Sequence, residues 1–78
     1  MITQKYIENS KELGENLKTA RINSGLSQDV ASKLINLNRS SLSYYENGRN
    51  IPTIFTIIRL MGIYKIDIND VILVDNRK

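Results

Sequence analysis

Arg39, Ser40, Ser43 and Tyr44 stand out in a chain whose reactive inventory is otherwise short. They fall on the outer side of a short helical pattern, and they are donors and acceptors that no apolar core requires. An arginine fork offers several coplanar donors and suits paired acceptors on a flat edge or a phosphate. The 78 residues contain no histidine and no cysteine. The usual neutral-pH general base, thiolate nucleophiles and soft metal ligands are thereby missing, which leaves carboxylates and hydroxyls. Asp67 and Asp70 stand at the spacing of a helix cap rather than of an acid-base pair. These residues predict a protein that recognises through hydrogen bonds and charge, is not an enzyme, and uses no cofactor and no metal.

The elements that must position this set can be read from spacing and caps. Leu13, Leu17, Ala20 and Ile22 fall close to three-and-four spacing, so Lys11 to Ser24 reads as a first helix, stopped by Gly25. Asn9 with Glu12, or Ser10 itself, supplies its start. Ser27 caps a second helix running to about Ile35, with Asp29 in its first turn. Asn36, a residue that tolerates the left-handed backbone, marks the turn. Asn38 opens a third helix from Arg39 to Glu46, ended by Asn47 and Gly48. Two short helices so close in sequence are placed near a right angle. After Pro52, Thr53 to Tyr64 carries Ile54, Ile57, Ile58, Leu60 and Met61 and is expected to lie in the core. Asp67 and Asp70 cap a last helix through about Leu73. The β-branched run from Ile66 to Val74 also suits a strand, but a lone short strand has no evident partner.

The expected architecture is all-α, a compact five-helix domain over residues 11–74, with an arm or extra turn over 1–10 and a polar tail over 75–78. A domain this small buries only about 60% of its unfolded surface, so association is a natural source of stability. The net charge is +3 and the pI about 9.4, which favours an anionic partner without naming one. Met1 to Ser10 lacks the apolar core of a signal peptide, and no stretch approaches the roughly 20 apolar residues of a membrane span. A soluble, cytoplasmic protein with no membrane contact is expected.

The segments Gly25-Leu26-Ser27-Gln28-Asp29-Val30-Ala31 and Asn38-Arg39-Ser40-Ser41-Leu42-Ser43-Tyr44-Tyr45-Glu46-Asn47-Gly48, followed by Pro52, resemble the lambda-repressor-like, xenobiotic-response-element type of helix-turn-helix regulator. The resemblance runs from about Leu13 to Ile72. Its two-helix unit requires a small residue where the helices approach, met by Ser32, and burial of Ala31, Ile35, Leu37, Leu42 and Tyr45. Asn36 replaces the usual glycine at the turn, and Lys65 replaces a glycine after the fourth helix.

The resemblance implies that the third helix enters the DNA major groove, with Arg39, Ser40, Ser43 and Tyr44 at base edges. Tyr44 is equally suited to partial packing, and Ser43 to a bland surface role. Gln28, Asn38, Asn47 and Arg49 would hold phosphates, Gln28 also steadying the first recognition residue. Arg21 and Glu46 would form a structural ion pair. Ile68, Val71, Ile72 and Leu73 exceed what one side of a short helix buries and would supply a homodimer interface. Closure of the monomer core is the simpler role for Val71 or Ile72 singly.

The implied function is sequence-specific binding of a palindromic double-stranded operator by a dimeric transcriptional regulator. A repressor of phage or mobile-element origin, a restriction-modification controller and an antitoxin all fit, and a protein antagonist is compatible with each. The competing reading is an interaction or dimerisation module that keeps the fold without DNA contact. An acidic or apolar outer face would mark it, and the face here is polar and basic.

Overall fold

The computed structural model describes residues 4–6, 9–67 and 69–75. In chain order these form β1 (Gln4–Tyr6), α1 (Ser10–Asn23), α2 (Gln28–Leu34), α3 (Arg39–Glu46), α4 (Ile54–Tyr64), α5 (Asn69–Ile72) and β2 (Leu73–Asp75). Four of the helices begin at a side chain that accepts an otherwise orphaned backbone N–H. Asn9 accepts from Glu12, Ser27 from Val30, Asn38 from Ser40 and Thr53 from Thr56. Each such cap contributes about 1 kcal/mol. Thr53 is therefore the cap of α4 rather than its first residue.

Leu13 and Leu17 of α1, Ala31 of α2, Leu42 of α3, Ile57, Leu60 and Tyr64 of α4, and Val71 of α5 converge with Ile35 on one core. Ile22 is not among them: it points away from Leu13 and Leu17 and is 55% exposed. The same sidedness corrects the expectation for α4. Ile57, Leu60 and Tyr64 face inward, whereas Ile54, Phe55 and Ile58 are exposed. A helix apolar all round carries no sequence signal for which stripe is covered.

The helix-turn-helix unit is α2, the turn and α3. Asn36 adopts φ 55°, and the Leu37 N–H donates to the Ser32 carbonyl at 2.8 Å. Ser32 is almost fully buried where the helices meet, and its hydroxyl donates to the Asp29 carbonyl, so burial leaves no orphaned donor there. Ala31, Ile35 and Leu42 are buried, while Leu37 and Tyr45 are half-buried.

The chain ends differ most from expectation. Gln4–Tyr6 is neither a helical turn nor an arm: it pairs antiparallel with Leu73–Asp75, in the register Gln4 to Asp75, Lys5 to Val74 and Tyr6 to Leu73. The fifth helix thus stops at Ile72, and Asp75 belongs to a strand rather than to a tail. Val71 is fully buried and closes the monomer core, so it is not a surface for a partner. The Asn16 side-chain amide donates to its carbonyl at 2.7 Å, tying α5 to α1. Ile72 is half-buried, and Ile68 lies outside the described residues, as do residues 76–78. Lys65 takes the left-handed conformation that glycine adopts freely, at φ 57° and a cost of about 1 kcal/mol.

Candidate nucleic-acid interface

The outward position of α3 rests on α1. Gly14 lies under the last turn of α3, where a Cβ would stand 2.4 Å from the Tyr45 carbonyl oxygen and 2.7 Å from that of Glu46. Only hydrogen fits at that spacing. About two turns along α1, the Arg21 guanidinium grips the Glu46 carboxylate with two bonds, Nε to Oε2 at 2.7 Å and Nη2 to Oε1 at 3.1 Å. Its Nη1 donates to the Leu26 carbonyl, fixing the loop before α2. The Gln28 amide nitrogen donates to the same Glu46 Oε1 at 3.1 Å. One carboxylate, buried to 1% side-chain exposure, therefore joins α1, the start of α2 and the end of α3. A second latch sits beside it, where the Ser10 hydroxyl donates to the Gly48 carbonyl at 2.8 Å.

The face so held is polar. Arg39 and Ser40 are exposed, Ser43 is half-buried and Tyr44 is 42% exposed. Arg39 is the first residue of α3, where a cation opposes the helix dipole, and among the described residues nothing pairs with it. Stability therefore supplies no reason for its placement. The Ser40 hydroxyl donates to Asn38 Oδ1 at 2.6 Å, leaving its lone pairs outward. Asn38 uses that oxygen for the cap, so its amide hydrogens are the groups left to offer. At the other end, Asn47 donates weakly to Ser43 Oγ at 3.4 Å, and the Arg49 guanidinium lies 5.8 Å from the centre of the Tyr44 ring. Gln28 reaches Glu46, at the end of α3, and not Arg39 at its beginning, so its side chain steadies the brace rather than the first recognition residue.

The tie from Gln28 to Glu46 and the fit at Gly14 were not read from the sequence. A glycine inside a helical pattern costs about 1 kcal/mol relative to alanine, and that unexplained cost at Gly14 was the available signal.

Tyr64 packs beneath this network, and no described group hydrogen-bonds its hydroxyl. Its pKa is pushed up from 10.0 to about 12, chiefly by burial and then by the Glu46 charge, with Arg21 opposing. Neutral phenol is thus favoured in the folded protein. Its contribution is intact below pH 10 and disappears as pH rises through about 12, a loss of roughly 2–3 kcal/mol. Tyr64→Phe removes the orphaned hydroxyl and should raise neutral-pH stability by about 1 kcal/mol. Denaturant titrations of both proteins between neutral and alkaline pH should show the gap widening from pH 10 upward. A gap constant with pH would show that the phenol does not titrate this way.

A helix-turn-helix family model matches residues 17–71. Among solved structures, the restriction-modification controller protein C.AhdI from Aeromonas hydrophila superimposes with a TM-score of 0.75 at 26% identity, covering 80% of this chain and 94% of that one. A hypothetical transcription factor, NHTF from Neisseria, gives 0.74 at 18% identity over 86% of this chain and 80% of that one. A point mutant of the controller C.Esp1396I gives 0.67 at 21% identity, covering 74% and 77%. No curated protein matches the chain in sequence. With the motif, the braced α3 and a family match over most of its length, the chain belongs to the helix-turn-helix family of DNA-binding transcriptional regulators.

Proposed function

We propose that the protein binds a specific, palindromic double-stranded operator as a homodimer and regulates transcription from it in the cytoplasm. The observation that carries this reading is Arg39, exposed and with no partner among the described residues, at the start of a helix that a buried ion-pair network holds outward. Arg39 reads a guanine through its fork, Ser40 accepts from a neighbouring base, and Tyr44 with Ser43 completes the base-edge set. Asn38, Asn47 and Arg49, with the backbone N–H groups at Gln28, hold phosphates on either side. The likeness to C.AhdI supports a controller-type regulator, occupying its operator as a repressor or as a switch. The Asp70 carboxylate is engaged in a helix start, accepting from the Asp67 N–H, which supports a binding role rather than catalysis.

Selection of bound sequences from a random DNA pool supplies the operator, and the spacing of its half-sites should place two recognition helices about 34–36 Å apart. On that operator, Arg39→Ala should lose about 1–3 kcal/mol of affinity while binding to random duplex hardly changes. Titration of both duplexes at one salt concentration checks this. Equal losses on both would remove Arg39 from base readout, and no enriched sequence at all would remove the function.

A further inference from the structure

Among the described residues, nothing covers the outer face of α4 or Ile51 just before it. Phe55 is 74% exposed, Ile51 71%, Ile58 52% and Ile54 51%. A run of large apolar side chains left exposed together marks an interaction surface. At about 100° per residue, Phe55, Ile58, Arg59 and Gly62 share one side of the helix, opposite buried Ile57, Leu60 and Tyr64. Gly62 adds a second, independent observation. It sits inside the helix, where glycine costs about 1 kcal/mol, yet a Cβ there would meet nothing within 4 Å. Among the described residues, nothing requires its smallness.

The space over Gly62 is a hollow of about 450 Å³, walled by Leu34, Ile35 and Asn36 from the end of α2 and by Arg59 and Ile63 of α4. Arg59 forms its rim, donating to the Ile35 carbonyl at 3.4 Å. The hollow is open to solvent on its outer side, so a side chain from a second molecule can enter it. The projecting ring and the hollow lie on one helix face, about 10 Å apart along the axis at ~1.5 Å per residue. A knob and a hole on the same surface complement themselves under a two-fold axis.

We infer that two copies pair through antiparallel α4 helices, Phe55 of each seated over Gly62 of the other, with the axis passing between Ile58 and Arg59. The register sets Ile58 beside Arg59 of the second copy, whose alkyl stem covers the isoleucine while its head stays at the rim. The dimer required by the operator-binding reading is thus formed through the fourth helix. This placement rests on that reading only for its purpose, because its evidence is independent of DNA.

Sedimentation of the full chain over a concentration series should show a reversible dimer. Phe55→Ala should weaken it by about 30-fold or more, the loss typical of a central aromatic anchor. Gly62→Leu should weaken it comparably while leaving the monomer folded and at least as heat-stable, since leucine has room there and favours helix. The decisive variant combines Phe55→Ala with Gly62→Leu, exchanging knob and hole. It should dimerise more tightly than either single change, a coupling that independent sites do not show. A wild-type chain that stays monomeric at high concentration, an undiminished Gly62→Leu dimer, or a double variant no better than the singles would each overturn the interface. DNA titration of the same proteins separates the two claims. A wild-type dimer disrupted as described but blind to DNA would refute the operator reading alone, and a DNA-binding chain indifferent to these changes would refute the interface alone.

Discussion

Arg21→Met should cost the folded protein about 3–5 kcal/mol, because it leaves the Glu46 carboxylate buried with only the Gln28 amide as a side-chain partner. For a chain of this size the whole stability is on the order of 4–12 kcal/mol, so the variant sits at or near its unfolding threshold. Chemical denaturation at neutral pH measures the difference. The instructive companion is Arg21→Met combined with Glu46→Leu, which removes both charges and should recover most of the loss. The ion pair then contributes placement of α3 more than net stability. A single substitution costing under about 1 kcal/mol would show that Arg21 is dispensable as the brace.

Gly14→Ala is expected to destabilise as well, against the usual rule. Alanine in a helix interior is ordinarily worth about 1 kcal/mol over glycine. Here the added methyl would meet two backbone carbonyl oxygens at 2.4 and 2.7 Å, and backbone cannot swing aside as a side-chain tip can. The last turn of α3 has to lift from α1, at a net cost of about 1–3 kcal/mol. Because that turn carries Tyr44, Tyr45 and Glu46, operator affinity should fall further than the loss of folded molecules explains. Calorimetry and DNA titration on one sample give both numbers, and a stabilised Gly14→Ala protein would contradict the close approach.

The third helix was legible in the sequence, from Arg39 to about Glu46, because Asn38 and Asn47-Gly48 are strong local signals and the backbone obeys them. The turn at Asn36 was legible for the same reason. What escaped depends on partners distant in sequence. The pairing of Gln4–Tyr6 with Leu73–Asp75 joins two short segments, each too weak alone to announce a strand. Val71 looked like surplus on a short helix, yet its neighbours come from α1 and the rest of the core. On α4 the uniform apolarity that identified the helix concealed which side was covered. At the site, residue types on α3 gave the polar face, while Gln28 and Glu46 meet through a geometry that neither residue type predicts.

The two-stranded ladder has a kinetic consequence. It closes nearly the full contour of the chain with three residue pairs, and the entropy of closing so long a loop must be met before those few bonds form. Helical assembly has to shorten the gap first, so the ladder zips last during folding and frays first in native-state hydrogen exchange, well before the amides of α1 and α4.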